Sequence, residues 1–122
     1  MPKTGQDLID EAKQQIEQVT PEQVREMQAH NEAVVYPDVR EPNEWNLGHL
    51  PRAIHLPRGN LEGKVEGLID RNQKVVVYCA RGNRSALAAL TMQQMGYDKV
   101  SSMAQGIQGW ADIDGEDRKS VV

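Results

Sequence analysis

The stretch Val75-Val76-Val77-Tyr78-Cys79-Ala80-Arg81-Gly82-Asn83-Arg84-Ser85 constrains the fold of this chain more than any other. Its β-branched apolar run reads as a buried strand, and the Ala- and Leu-rich residues 86–95 behind it read as a helix stopped by Gly96. The loop between them holds the only cysteine, a glycine and two arginines. A strand–loop–helix turn of this kind can aim successive backbone N–H groups, and a helix N-terminus, at one point. Cys79 stands where they converge, and Ala80, Arg81, Gly82, Asn83, Arg84 and Ser85 form the expected cup around it.

A lone cysteine closing a Val-rich strand is, by itself, a small buried hydrophobe. The residues that follow argue for more. Gly82 permits positive φ and close backbone approach, and Arg84 offers a rigid fork of donors to an anion. A structural cysteine needs neither. Amide dipoles and nearby arginines would hold the sulfur partly as thiolate at neutral pH, a nucleophile in an anion-binding cup.

Charge sharpens this reading. From Arg71 to Tyr97 there is no Asp or Glu, while Arg71, Lys74, Arg81 and Arg84 give four positive charges. The rest of the chain has a net charge of −8, giving −4 overall. A positive island on an acidic protein fits a small anion better than a polyanion, so nucleic acid is not an expected partner. At 122 residues the chain has room for one core, and a single cysteine excludes an intramolecular disulfide. Without an apolar leader or a membrane-length apolar run, a reducing cytoplasm is the expected location and no membrane partner is expected.

Taken in order, Leu8, Ile9, Ala12, Ile16 and Val19 recur near helical spacing and predict an amphipathic helix over 7–19. Its acid- and Gln-rich other face makes residues 1–18 an N-terminal helical extension outside the compact core. Thr20-Pro21-Glu22-Gln23 is a capping-box start for a helix ending near His30. Residues 33–36 predict a strand, and Pro37 conflicts with a central place for it because proline cannot donate to a ladder. A polar loop follows over 38–45, then a turn at 48–52, a short strand at 53–56 and a helix over 61–69 weakened by Gly63 and Gly67. After the Val75 strand and its helix come a last strand at 100–103, a turn opened by Gly106 and a polar tail over 112–122. Strands separated by helices predict an α/β fold with a mostly parallel sheet. His30, His49 and His55 show no metal-site spacing with the cysteine, so neither metal nor cofactor is expected.

Three separated motifs then agree. Asp38-Val39-Arg40-Glu41 with Glu44-Trp45, Gly48-His49-Leu50-Pro51-Arg52-Ala53, and Cys79-x-x-Gly82-x-Arg84-Ser85 together resemble the single-domain rhodanese family of thiosulfate sulfurtransferase-like proteins. Gly106-x-x-x-Trp110 is similar to that family's C-terminal signature, although Gln105 stands where a second glycine is usual. The resemblance covers a domain over 19–111 and implies a five-stranded sheet flanked by helices, with Val19 opening a short edge strand. It implies further that Cys79 takes the outer sulfur of a small anionic donor such as thiosulfate, and that cyanide, a thiol or a protein acceptor removes it. Arg84 and the loop amides would hold the anionic persulfide, and Arg81 the donor's oxygens or simply the rim. Asp38, Arg40, Glu44 and His49 are expected to support the site, Arg40 through an ion pair with Glu44 or contacts to loop backbone. Trp45 and Trp110 are expected to pack, and His49 is not needed as a base.

Rival readings use the same residues. Cysteine phosphatases and arsenate reductases resemble Cys-x5-Arg, whereas Cys79 to Arg84 is Cys-x4-Arg, a smaller ring suited to one sulfur atom. A module that only binds a partner would have no need of the cysteine. A persulfide carrier for sulfur trafficking differs only in its acceptor.

Overall fold

A computed structural model describes residues 1–113. Five parallel strands form one sheet: β1 (Glu17–Val19), β2 (Val34–Asp38), β3 (Ala53–His55), β4 (Lys74–Val77) and β5 (Val100–Met103), in the order β1-β5-β4-β2-β3. The helices are α1 (Gly5–Gln15) before β1, then α2 (Pro21–Ala29), α3 (Pro42–Leu47), α4 (Leu61–Leu68) and α5 (Asn83–Gln94) between successive strands, and α6 (Gly106–Asp112) after β5. From residue 114 on, the polar tail expected over 112–122 lies outside the described residues.

Side chains of β4 alternate between two cores, which explains its unbroken apolar run. Val75, Val77 and Cys79 face a cluster with Leu61, Val65, Ala88, Ala89 and Met92 of α4 and α5. Val76 and Tyr78 face the other cluster, with Val24 of α2 and Trp110 of α6. Both faces of the central strand are therefore sealed by helices.

The N-terminal extension is not outside the core. Its helix is shorter than the periodicity predicts, because Glu17–Val19 leaves it to pair with β5 as the edge strand. The helix packs along α5, with Ala12 fully buried and Ile16 against the main cluster. Its apolar stripe needs a partner, and α5 provides one.

Pro37 sits in β2, between β4 and β3. The Pro37 carbonyl accepts from Tyr78 N–H at 3.0 Å, so its backbone polar groups face β4. There the ladder runs only through Val34 and Val35, then resumes as a single bridge between Asp38 and Tyr78. The sheet absorbs the missing donor as a local gap in one ladder, while β3 stays paired with β2 along its whole length.

The chain moves outward from β2 to β3, then returns across β2 to β4 and on to β5. The switch point of the sheet lies between β2 and β4, where open α/β sheets place their sites. Asp38 and Cys79 stand at the carboxyl ends of those two strands.

Candidate active site

The thiol of Cys79 lies at the N-terminus of α5, with the residue only 1% exposed. Its sulfur accepts N–H from Gly82 at 3.1 Å and from Ser85 at 3.4 Å, and lies 3.5 Å from Ser85 Oγ. Gly82 supplies no side-chain cap, so the sulfur takes that place for the helix. The helix dipole then favours negative charge on it. Gly82 adopts φ 98°, and a side chain there would stand 3.2 Å from the Gln105 nitrogen. The sequence places a glycine here for that reason.

A second helix orients the loop from behind. Ile107 N–H donates to the Cys79 carbonyl at 2.9 Å, and Gln108 N–H to the Ala80 carbonyl at 3.0 Å. These bonds use the free first-turn donors of α6 to hold the loop's carbonyls away from the sulfur. Gly106 makes the approach feasible, since a Cβ there would overlap the Cys79 carbonyl and lie 2.6 Å from that of Ala80.

Arg84 does not turn its fork to the sulfur in this structure. Its Nη1 and Nη2 donate to the two Glu44 carboxylate oxygens at 2.7 and 2.9 Å, tying α5 to α3. Glu44 also accepts from Glu41 N–H at 3.0 Å. The Arg84 hydrogen bonds are the largest cause pulling the Glu44 carboxyl down to about 2. Of the two roles expected for Arg40, the ion pair with Glu44 does not form, because Glu44 is engaged by Arg84, whereas the contact to loop backbone does, at the Gly48 carbonyl.

Arg40 instead binds Asp38, with Nη2 2.6 Å from Oδ2 and Nε 2.9 Å from Oδ1, and donates to the Gly48 carbonyl at 2.7 Å. Asp38 is fully buried and Arg40 5% exposed. Tyr78 lies under the guanidinium and accepts from Leu50 N–H at 3.1 Å. Burial above all, with the Asp38 charge adding to it, pushes the Tyr78 hydroxyl well above its ordinary range, so it stays neutral. This network locks the ends of β2 and β4 to the turn before β3.

His49 stacks on Trp45 with ring centres 3.5 Å apart, and its Nδ1 lies 3.2 Å from the Trp45 carbonyl. His55 stacks on Trp45 at 4.9 Å, and its Nε2 lies 2.9 Å from the Arg40 carbonyl. Arg81 is exposed at the rim and forms no side-chain hydrogen bond or ion pair among the described residues. Asn83 accepts from Lys13 of α1 at 3.0 Å, a contact no motif announces. Ser102 of β5 belongs to none of the motifs: fully buried, its Oγ lies 2.7 Å from Ser85 Oγ. Two serines in a four-residue strand inside a sheet are the signal that could have found it. Among the described residues no group of His, Cys, Asp and Glu could hold a metal, and no helix is long and apolar enough to cross a membrane.

Comparison with known proteins gives this geometry relatives. Residues 20–113 match the family model described as the rhodanese-like domain. The chain is 36% identical over 73 residues to YrkF of Bacillus subtilis (strain 168), a proposed sulfur carrier protein. That match takes in 60% of this chain but 39% of YrkF, so the chain spans well under half of that relative. The structure of RPA3614 from Rhodopseudomonas palustris CGA009, a protein of unknown function suggested to be a tyrosine phosphatase, aligns with TM-score 0.84 and 33% identity. It covers 97% of this chain and 99% of that one. The polysulfide-sulfur transferase homodimer from Wolinella succinogenes aligns with TM-score 0.79 at 24% identity, covering 93% and 85% of the two chains, a likeness of fold.

Proposed function

This chain belongs to the rhodanese-like domain family, and on that premise we propose that it moves a sulfane sulfur from thiosulfate or a related small anionic donor to a thiophilic acceptor. The observation that carries the reading is the Cys79 sulfur accepting the Gly82 and Ser85 N–H groups at the N-terminus of α5. Such donors stabilise the nucleophile before attack and the same sulfur when it leaves.

In the first step the Cys79 thiolate attacks the outer sulfur of the donor. The donor's S–S bond breaks, and sulfite leaves with the electron pair. In the second step a thiolate or cyanide attacks the outer sulfur of the resulting persulfide, and the Cys79 thiolate leaves. Amides of Ala80, Arg81, Asn83 and Arg84 are the remaining donors of the cup for the anionic outer sulfur. Arg81, exposed at the rim, is the cation for the donor's sulfonate oxygens. Arg84 acts through Glu44 as a brace on the loop. Asp38, Arg40 and His49 set the strand ends and rim without touching the reacting atoms, and no cofactor takes part.

The likeness to YrkF supports a second acceptor class, a protein that receives the persulfide sulfur. The phosphatase alternative has less support. A Cys-x4-Arg loop has one residue fewer than a phosphatase ring, and here its arginine fork is spent on Glu44. Incubating the pure protein with thiosulfate and cyanide, and separately with an aryl phosphate, separates the two. Thiocyanate without phosphate release is the expected result, and phosphate release alone would overturn the proposal.

A further inference from the structure

Behind the nucleophile lies a chain of two buried hydroxyls, of which the motifs include Ser85 but not Ser102. Ser85 Oγ is 3.5 Å from Cys79 Sγ, and Ser102 Oγ is 2.7 Å from Ser85 Oγ. Both serines are fully buried, one on the first turn of α5 and the other on β5. Among the described residues the only hydrogen-bond partner of the Ser102 hydroxyl is Ser85.

Counting protons distinguishes the charge states of the sulfur. With a neutral thiol the S–H donates to Ser85, Ser85 donates to Ser102, and the Ser102 proton is left with no acceptor. Running the chain the other way leaves the S–H without one. With a thiolate, Ser102 donates to Ser85 and Ser85 donates to the sulfur, so every proton has an acceptor. A buried donor without an acceptor costs about 1–3 kcal/mol, so the pair favours the state in which none is wasted. A persulfide sulfur also carries no proton, and it meets the same arrangement.

We infer that Ser102 is a positioning residue, which acts through Ser85 to orient a hydroxyl proton at Cys79 Sγ and so favours the thiolate and the persulfide over the thiol. The inference rests on the proposed sulfur transfer for its persulfide half. Its thiolate half can be read without any sulfur donor. No atom of Ser102 touches the substrate.

The test follows alkylation of Cys79 by iodoacetamide across pH in the full chain, by intact mass, for wild type, Ser102→Ala and Ser102→Thr. Losing the second hydroxyl should slow alkylation at neutral pH about three- to tenfold, the worth of one ordinary hydrogen bond. The profile should move to higher pH while the rate at its alkaline limit stays unchanged, a pattern that general loosening of the fold does not produce. Ser102→Thr keeps the hydroxyl and should return the profile toward wild type. Melting temperatures accompany each variant. Coincident profiles for wild type and Ser102→Ala overturn the inference, as does a Thr variant shifted as far as the Ala one. Persulfide formation from thiosulfate is measured on the same samples. A wild-type chain that takes up no sulfur while the Ala shift persists counts against the proposed function and for the serine chain.

Discussion

Glu44 links the two halves of the site, because its carboxylate takes both arms of Arg84 from α5 while capping the backbone of its own helix. Its carboxyl is lowered from 4.5 to about 2, chiefly by the Arg84 hydrogen bonds. The sign follows from linkage: the pair's stabilisation is complete above the unfolded value and is lost as pH falls through about 2. With the two side chains 27% and 38% exposed, solvent screening holds that contribution to about 1 kcal/mol. Glu44 should titrate near 2 by carbon NMR, and Arg84→Lys should raise that midpoint because an ammonium cannot match the planar fork. Glu44→Gln and Arg84→Lys should each lower sulfur uptake, with the double variant losing clearly less than the two losses combined. Additive losses would mean that the arginine acts on the sulfur independently of Glu44.

A second residue carries strain that the sequence already flagged. Gln105, where the resemblance leads one to expect a second glycine, adopts φ 65° and ψ −2° just before α6. A left-handed conformation costs a residue with a Cβ about 1–2 kcal/mol, and glycine returns about 0.4–1 of that through a freer unfolded chain. Gln105→Gly should therefore raise stability modestly, by about 0.5–1 kcal/mol, visible as a small increase in melting temperature. A drop would show that the Gln105 side chain does more by packing near Gly109 than its backbone loses.

At the scale of elements, the buried Asp38–Arg40 pair decides how β2 meets β4. Removing one partner of such a pair strands the other charge, so Asp38→Ala should cost about 3–5 kcal/mol in denaturant unfolding. A loss under 1 kcal/mol would show that the Gly48 carbonyl alone can hold Arg40. Local patterns made the elements legible: β-branched runs marked β2 and β4, the Thr20 capping box marked α2, and Gly96 marked the end of α5. They could not show which charges meet. Glu44 and Arg84 lie 40 residues apart and Lys13 and Asn83 lie 70 apart, and only the completed sheet brings them together. A helix over 7–19 overreaches the true end of α1 because periodicity continues smoothly into Glu17–Val19, where pairing with β5 takes over. Pro37 argued correctly against a complete ladder and wrongly against a central strand, since a parallel strand faces alternate residues to alternate neighbours.

For the whole molecule, the positive island is a property of the chain more than of the folded surface. Three of its four cations meet acids from outside the stretch: Arg71 pairs with Glu66, Lys74 with Glu32 and Arg84 with Glu44. Arg81 remains the unpaired cation of that stretch among the described residues, and it stands on the cysteine loop. What concentrates at Cys79 is a local arrangement of amides, helix termini and hydroxyls rather than a broad field, which suits a small anion and a single sulfur. The central claim is that this arrangement makes Cys79 the carrier of a transferred sulfur. The direct measurement is mass spectrometry of the protein after thiosulfate treatment and removal of excess donor, first intact and then as peptides. The account predicts a gain of one sulfur, borne by the peptide containing Cys79, released by cyanide and absent from Cys79→Ser. No gain in wild type, or the same gain in Cys79→Ser, would contradict it.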